Sequence, residues 1–297
     1  MDAVSFKKKV DLRKTSEEQF LSYTAQTSQS EQTRQRLSSM RDMILRVLGK
    51  RKNEHEHLEV ADIGCGAGSL CILWAEYGHQ RMHGVDIDER LVALGKQRAA
   101  AMGFTIDFRV GGSTALPWPD STMDVCLMPE VLEHVPEWQA SLKECARVLR
   151  PGGLLMITTT NKFCPRQQEF TLPLYSWYPG WVKRYCERLA LTTRPEIANH
   201  TRYPAVNWFS FYKLRKELQK VGFGNCVDRF DVMDVEQKGP LVHTIVQGIR
   251  TIPVLRWLAY FASPYTLVLA FKANRGEGEL RKGLRETHYD IPISVVE

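Results

Sequence analysis

The 297-residue sequence predicts an α/β fold built on a doubly wound, mostly parallel sheet of seven strands, with helical insertions laid over it. Three observations point to it. Short apolar runs alternate with amphipathic segments from residue 58 to residue 160. A glycine-rich turn, "DIGCGAG", follows the first of those runs directly. After Thr160 the rhythm breaks into a stretch rich in Pro, Trp, Tyr and basic residues, and strand-like patterning returns only beyond residue 220. Alternating strands and helices imply parallel pairing, because parallel neighbours need a crossover long enough to hold a helix.

Taken in order, residues 15–50 are polar with helical spacing and predict one or two helices closed by Gly49. Asn53 to His57 is a charged connector. "LEVADI" predicts a strand and "LCILWAEYG" a helix ended by Gly78. "MHGVDI" and "ERLVALGKQRAAAMG" repeat the pattern, with Asp88 as N-cap and Gly103 as stop. "IDFRV" and "DVCLM" read as strands, "EWQASLKECARVLR" as a helix stopped by Pro151 and Gly152, and "LLMITTT" as a strand. Further on, "FSFYKLRKELQKVG" predicts a helix, Val227 to Val232 a strand, and "YTLVLAFKA" a closing strand. Residues 240–262 are apolar and helical, with a break near Pro253. The expected organisation is an N-terminal helical segment (1–52) covering a ligand site and a sheet core (53–160). A lid insertion (161–206), completion of the core (207–273) and a charged tail (274–297) follow.

Composition narrows the function classes. The formal charge of +6 is mild, and no basic stripe interleaved with aromatics suggests a nucleic-acid groove. Seven cysteines, an odd number without C-x-x-C spacing, argue against a disulfide framework or a zinc site and for reduced thiols in a cytoplasm. "MDAVSFKKKVDLRK" lacks the apolar core of a signal peptide. The longest apolar stretch, Trp257 to Phe271, is interrupted by Pro264 and falls short of the roughly 18 residues a membrane span needs.

The glycine turn carries the ligand question. A dinucleotide turn has the spacing G-x-G-x-x-G, in which the glycines let the backbone approach a pyrophosphate. Here glycines stand at 64, 66 and 68, and Ser69 occupies the dinucleotide position. No Gly-Lys-Ser/Thr follows, which excludes a P-loop. Asp86 lies 22 residues beyond Gly64, at the end of the second strand, where an acid accepts ribose hydroxyls. That role is common to several adenosine ligands, so Asp86 does not discriminate among them.

The turn, the spaced acid, "EVLEHV" and "VLRPGG", in that order, resemble the class I S-adenosylmethionine (SAM) methyltransferases, strongly over 55–160 and weakly over 207–272. "EVLEHV" is most similar to the ubiquinone-biosynthesis O-methyltransferases and their small-molecule relatives. The resemblance implies a Rossmann-like sheet. It implies a SAM site formed by Asp62, Gly64, Cys65, Gly66, Gly68, Asp86, Ile87, Ser113, Thr114 and Pro129. "GGST" stands where the family usually has an acid, so Ser113, Thr114 or a backbone N–H takes over the adenine contact. No Asn/Asp-Pro-Pro-Tyr/Phe segment appears, which argues against nucleic-acid amino methylation.

Glu130, Glu133 and His134 sit beyond the fourth strand, at the carboxyl edge where open α/β sheets bind ligands. His134 is the candidate base, with Glu133 or Glu130 as orienter or base, needed only if the acceptor must lose a proton. The competing reading is that this turn only caps a helix beside the cofactor. Relatives can place a divalent metal on such carboxylates, but this spacing assigns none.

The acceptor side falls to the insertions. Residues 172–191 put Trp181, Val182, Tyr185 and Leu189 on one helical face and Lys183, Arg184 and Arg188 on the other. Residues 240–262 repeat the apolar theme. These segments either meet the inner face of a membrane peripherally or pack as a lid over a small acceptor. The expected function is methyl transfer from SAM to a hydrophobic or lipid-linked small acceptor, most simply on oxygen. A carbon or nitrogen acceptor, an NAD-dependent oxidoreductase and a non-catalytic SAM-binding module are the alternatives.

Overall fold

The computed structural model describes residues 30–49, 57–78, 80–235 and 239–274. Its centre is a seven-stranded sheet in the order β3-β2-β1-β4-β5-β7-β6. The strands are β1 (Leu58–Ile63), β2 (Gln80–Asp86), β3 (Asp107–Val110), β4 (Met123–Pro129), β5 (Leu149–Thr160), β6 (Phe223–Asp228) and β7 (Tyr265–Lys272). The first five pair in parallel, whereas β7 runs antiparallel between β5 and β6. Strand order reverses between β1 and β4, which opens a crevice at their carboxyl ends.

Helices cover both faces, which is why β1 and β4 are almost wholly buried apolar runs. On one face, α1 (Glu31–Val47), α2 (Ser69–Tyr77) and α3 (Glu89–Ala101) pack Ile44, Trp74 and Val92 against Val60, Val125 and Met156. On the other, α4 (Trp138–Val148) buries Trp138, Leu142 and Cys145 at helical spacing against Ile63, Cys126 and Leu155. Each such leucine contributes about 1.5–3 kcal/mol by burial. Asp88 caps α3 through the Arg90 amide, and Gly49, Gly78 and Gly103 end their helices with positive φ.

Several expectations differ in detail. Helix α1 lies against α2 and does not line the crevice at the carboxyl edge. Residues 1–29 of that segment, most of the connector and the tail from residue 275 lie outside the described residues. Helix α4 ends at Val148, and β5 already begins at Leu149, so "RPGG" extends the strand. Only Val227 and Asp228 of the expected strand 227–232 belong to β6. Asp228 instead caps the short helix α5 (Arg229–Val232) through a capping box.

The first insertion holds α6 (Gly180–Thr192) and its own small core of Phe170, Tyr175, Cys186, Ala190 and Ala198. The expected split of this helix does not form. Its inward face is Val182, Lys183, Cys186 and Ala190, while Trp181 and Tyr185 point outward with Arg184 and Arg188. Lys183 turns in because its ammonium lies 4.3 Å over the Trp208 ring and donates to the Ser176 carbonyl at 2.8 Å. Burial pulls its pKa down to about 8.

The amphipathic helix α7 (Phe211–Lys220) follows the first insertion. The second insertion is a pair of helices, α8 (Pro240–Thr251) and α9 (Pro253–Ala259), broken where Pro253 starts the new helix. No helix of the described residues is long and apolar enough to cross a membrane. The pair is held to the sheet by Arg256, whose buried guanidinium donates to Asp228 at 3.0 Å and to Asp231. Tyr260 donates to the other oxygen of Asp228. Removing one member of a buried charge pair leaves the other uncompensated. Arg256→Met is therefore expected to lower unfolding free energy by about 3–5 kcal/mol in denaturant titration, well beyond the loss from an exposed arginine.

Candidate functional site

The site begins at the turn after β1. Gly66 has φ +52, a conformation that favours glycine, and a Cβ there would meet no atom of the protein. Gly68 has φ +73, and a Cβ there would lie 2.5 Å from Phe108, so this glycine serves packing. The turn's amides are largely used internally. Gly64 and Cys65 donate to the Val85 carbonyl at 2.8 and 3.0 Å, and Gly68 donates to Cys65 at 2.9 Å. Gly66 donates to Asp86 at 2.8 Å. Four N–H groups engaged in this way leave no nest of free donors for a pyrophosphate.

Asp86 ends β2 and is mostly buried, which raises its pKa. The Gly66 and Asp88 amides, each at 2.8 Å to a different carboxylate oxygen, oppose that shift and hold the group in place. Ile87 beside it is 60% exposed and offers an apolar platform. Together with Gly64, Asp88, Gly111, Ser113 and Thr114 these residues line one end of a cavity of about 660 Å³, the size of a small-molecule site. The Ser113 hydroxyl is hydrogen-bonded to Ser141 at 2.8 Å. Asp62, Cys65, Gly66, Gly68 and Pro129 do not line this cavity. Asp62 and Cys65 are buried beneath the turn, and Pro129 ends β4.

Glu130 and His134 line the rest of the cavity beside Val131, which packs against Gly64, together with Leu191, Pro195 and His200 to Tyr203 of the first insertion. Glu130 adopts φ +54, a left-handed conformation costly for a non-glycine residue and common at functional sites. A 3₁₀ turn at Leu132–His134 follows. Glu133 is wholly buried: Thr159 donates to one carboxylate oxygen at 2.7 Å and the other has no partner. Burial, then the neighbouring Glu130 and Glu169, push its pKa well up.

The expected pairing of His134 with Glu133 or Glu130 is replaced. Nε2 of His134 faces Glu169 of the insertion at 3.8 Å, within ion-pair reach but longer than a hydrogen bond. Nδ1 is buried without a partner. Burial lowers the pKa of the ring, against the Tyr203 and Pro204 carbonyls beside it. The ring is therefore a neutral imidazole at neutral pH, the protonation state a base requires. Glu169 was not legible in the sequence: it stands alone in "RQQEF", with no spacing to signal it. Burial, then Glu130, raise its pKa to about 7. Glu130, Glu133 and Glu169 each bring a carboxylate oxygen within 4.8 Å of the others, a donor set suited to a hard divalent cation.

Beneath the turn, Asp62 Oδ1 is buried without a partner while Oδ2 meets the Cys71 thiol at 3.5 Å. Burial chiefly raises its pKa to about 7. The folded state then keeps a proton that the unfolded chain releases near 3.8. The associated stability is full below that pH and is lost as pH rises to about 7. Asp62→Asn is expected to become steadily more stable relative to the parent across that window and to hold a constant difference above it. Thermal melts from pH 4 to 8 (a range of about four units) check this, a pH-independent difference being the contrary result.

Comparison with known proteins agrees with this geometry. Residues 61–157 match the family described as "Methyltransferase domain". A ubiquinone biosynthesis O-methyltransferase of Parvibaculum lavamentivorans is 38% identical over 129 residues, 43% of this chain and 50% of that protein. One of Maricaulis maris is 34% identical over 164 residues, 54% and 63% respectively. The chain thus spans about half to two thirds of the length of these relatives. A Pyrococcus horikoshii crystal structure superposes with TM-score 0.51 at 18% identity, covering 83% of this chain and 93% of that one, which shows the fold alone. The chain therefore resembles, over residues 61–157, the family described as "Methyltransferase domain", and with it the class I SAM-dependent methyltransferases of the ubiquinone-biosynthesis O-methyltransferase group.

Proposed function

We propose that the protein transfers a methyl group from SAM to a hydroxyl of a small, hydrophobic acceptor. The observation that carries the reading is a single cavity with two chemically distinct ends. Asp86 and Ile87 form one; Glu130 and His134 form the other, and Gly64 lies between them against Val131. The residues present fit the cofactor. Asp86 keeps lone pairs free for two ribose hydroxyls, and Ile87 supplies an apolar face for a base. The glycine turn, its amides engaged internally, suits a ligand without phosphate. SAM, when bound, supplies a methyl group on a sulfonium that a nearby nucleophile can attack.

The chain's own contribution is alignment, exclusion of water and one proton. The insertion roofs the cavity with Leu191, Pro195 and Tyr203, which narrows water access to the acceptor end. The His134 ring, which lines the cavity, is the candidate to take an acceptor hydroxyl proton, with Glu169 facing Nε2 to favour the imidazolium that results. Burial, then Glu130 and Glu169, raise the pKa of Glu133, and the three carboxylates together would hold a divalent cation. Such a cation would also polarise the acceptor oxygen.

A hydrophobic acceptor is supported by the two insertions. Trp177, Trp181, Tyr185, Leu241, Val254 and Trp257 stand exposed, and Trp257 and Phe261 pack edge to face 4.9 Å apart. Phe261 also meets Trp177, so the two insertions join in one aromatic seam. A large exposed apolar surface marks an interaction site. We read it as a peripheral contact with a lipid surface, aided by the exposed Arg184 and Arg188.

Two measurements follow. Asp86→Ala is expected to weaken SAM binding in calorimetry by about 1.5–3 kcal/mol, the value of hydrogen bonds to a charged group. Gly66→Ala, whose Cβ meets nothing inside the protein, should fold and still lose affinity. Unchanged affinity in both contradicts the cofactor assignment. In vesicle sedimentation, binding to anionic vesicles should weaken with salt and with the pair Trp181→Glu, Trp257→Glu. An absence of sedimentation at low salt leaves the insertions as a closed roof only.

A further inference from the structure

We propose that Asn207 is a positioning residue: it locks the turn bearing Glu133 and His134 to the exit leg of the insertion, and so sets the acceptor end of the site. The proposal rests on the methyl-transfer reading and deepens it.

The turn at Leu132–His134 is a single 3₁₀ turn: within it the Leu132 carbonyl accepts only a long bond from the Val135 amide, at 3.4 Å, and the Glu133 and Val135 carbonyls are left to donors outside the turn. Asn207 satisfies them from outside. Its side-chain Nδ2 donates to the Val135 carbonyl at 2.7 Å and to that of Leu132 at 3.4 Å. Its backbone amide donates to the Glu133 carbonyl at 3.0 Å, beside that of Val206 at 2.8 Å. Its own carbonyl accepts from Thr160 Oγ1 at 2.9 Å, at the end of β5. Only a primary amide offers two donors on a short stem, and both are used here on carbonyls.

The consequence reaches the reacting end. Just upstream on the same leg, the Tyr203 and Pro204 carbonyls face the His134 ring. Any displacement of Asn207 therefore moves the turn and the surroundings of its imidazole together. Asn207 itself does not line the cavity, so it acts through the turn and not on the acceptor. Asp86 on β2 is held by the Gly66 and Asp88 amides, and Val131, which packs against Gly64, precedes the held turn and follows Glu130, whose amide is bonded to Thr158. Loss of Asn207 is thus expected to affect chemistry without affecting cofactor affinity.

Asn207→Asp keeps the volume, removes both donors and places a carboxylate against two carbonyls. In the full chain, SAM affinity would be followed by calorimetry and turnover by methyl transfer to a long-chain alkyl phenol. Amide hydrogen exchange would be read over residues 130–136, 202–207 and 58–68. The expected result is a fall in kcat of at least about tenfold with SAM Kd and acceptor KM within about threefold of the parent. Exchange should quicken over 130–136 and 202–207 and stay unchanged over 58–68. Thr160→Val, which removes the hydroxyl donor to the Asn207 carbonyl, should shift turnover and exchange in the same direction by about threefold. A kcat within about twofold of the parent overturns the proposal, as does a loss of SAM affinity that parallels kcat. If Asn207→Asp does not fold, unchanged turnover and exchange in Thr160→Val overturn it. If the parent binds SAM but methylates no alkyl phenol, the acceptor reading fails, and the exchange measurement alone decides the role of Asn207.

Discussion

The hydrogen bond from the Gly66 amide to the Asp86 carboxylate fixes what the parallel sheet leaves open. A parallel sheet delivers the ends of β1, β2 and β3 to one edge, but it does not hold the loops that leave them. Asp86 does. One oxygen takes the Gly66 amide, the other takes the Asp88 amide, and the Asp86 backbone carbonyl accepts from Gly111 at 2.9 Å. Three loops thus converge on one residue. The arrangement works because the carboxylate is mostly buried: a solvated acid would exchange these amides for water, whereas here the two donors compensate desolvation. Ile87 is left exposed at the rim as a result, and the cavity acquires a polar anchor and an apolar wall side by side.

The opposite end of the cavity is electrostatically unlike it. Glu130, Glu133 and Glu169 come from the end of β4, the turn after it and the insertion, and repulsion among them adds to burial in raising the pKa of Glu133 and Glu169. Such a cluster is stable only with protons or with a cation among the carboxylates. The left-handed backbone at Glu130, costing about 1–3 kcal/mol, is held by its amide donating to Thr158 on the neighbouring strand. Strain, like charge and a neutral imidazole coincide within a few residues of the crevice. That concentration is what supports the reacting centre proposed here.

Much of the sheet domain was legible because its signals are local. Glycines at 49, 78 and 103, the Asp88 cap and the buried runs of β1 and β4 each specify their own surroundings, and each lies where its pattern indicated. The same holds for the ligand turn, whose spacing is itself the signal. Legibility ends where a residue's partner is remote in the chain. Glu169 meets His134 only because the insertion folds back over the turn, and Asn207 grips carbonyls more than seventy positions upstream. Lys183 sits on the inner face of α6 because Trp208 offers its ring, against a helical pattern that assigns lysine to solvent. The end of β6 was misread for a related reason: Asp228 is recruited by Arg256 and Tyr260 from the second insertion, and it caps a helix instead of extending a strand.

That recruitment bears on the exposed apolar surface. Exposed tryptophans and leucines have two physical origins, loose packing or contact with something else. Loose packing would leave α8 and α9 without a defined seat. They have one: the Arg256 guanidinium is buried between Asp228 and Asp231. Asn161, at the start of the first insertion, donates to the carbonyls of Tyr260 and Ser263 at 2.8 and 2.7 Å. Arg250 binds the carbonyls of Phe230 and Met233. The pair is thus anchored to the sheet through Arg250 and Arg256, and Leu241, Ile245, Val254 and Leu258 remain outside. A helix pair so firmly oriented presents its apolar face by construction, since turning that face inward would strand Arg256 and Asp228 without partners. The aromatic seam of Trp177, Phe261 and Trp257 joins this face to the first insertion, so the orientation of the helix pair and the exposed apolar surface are two consequences of one packing arrangement.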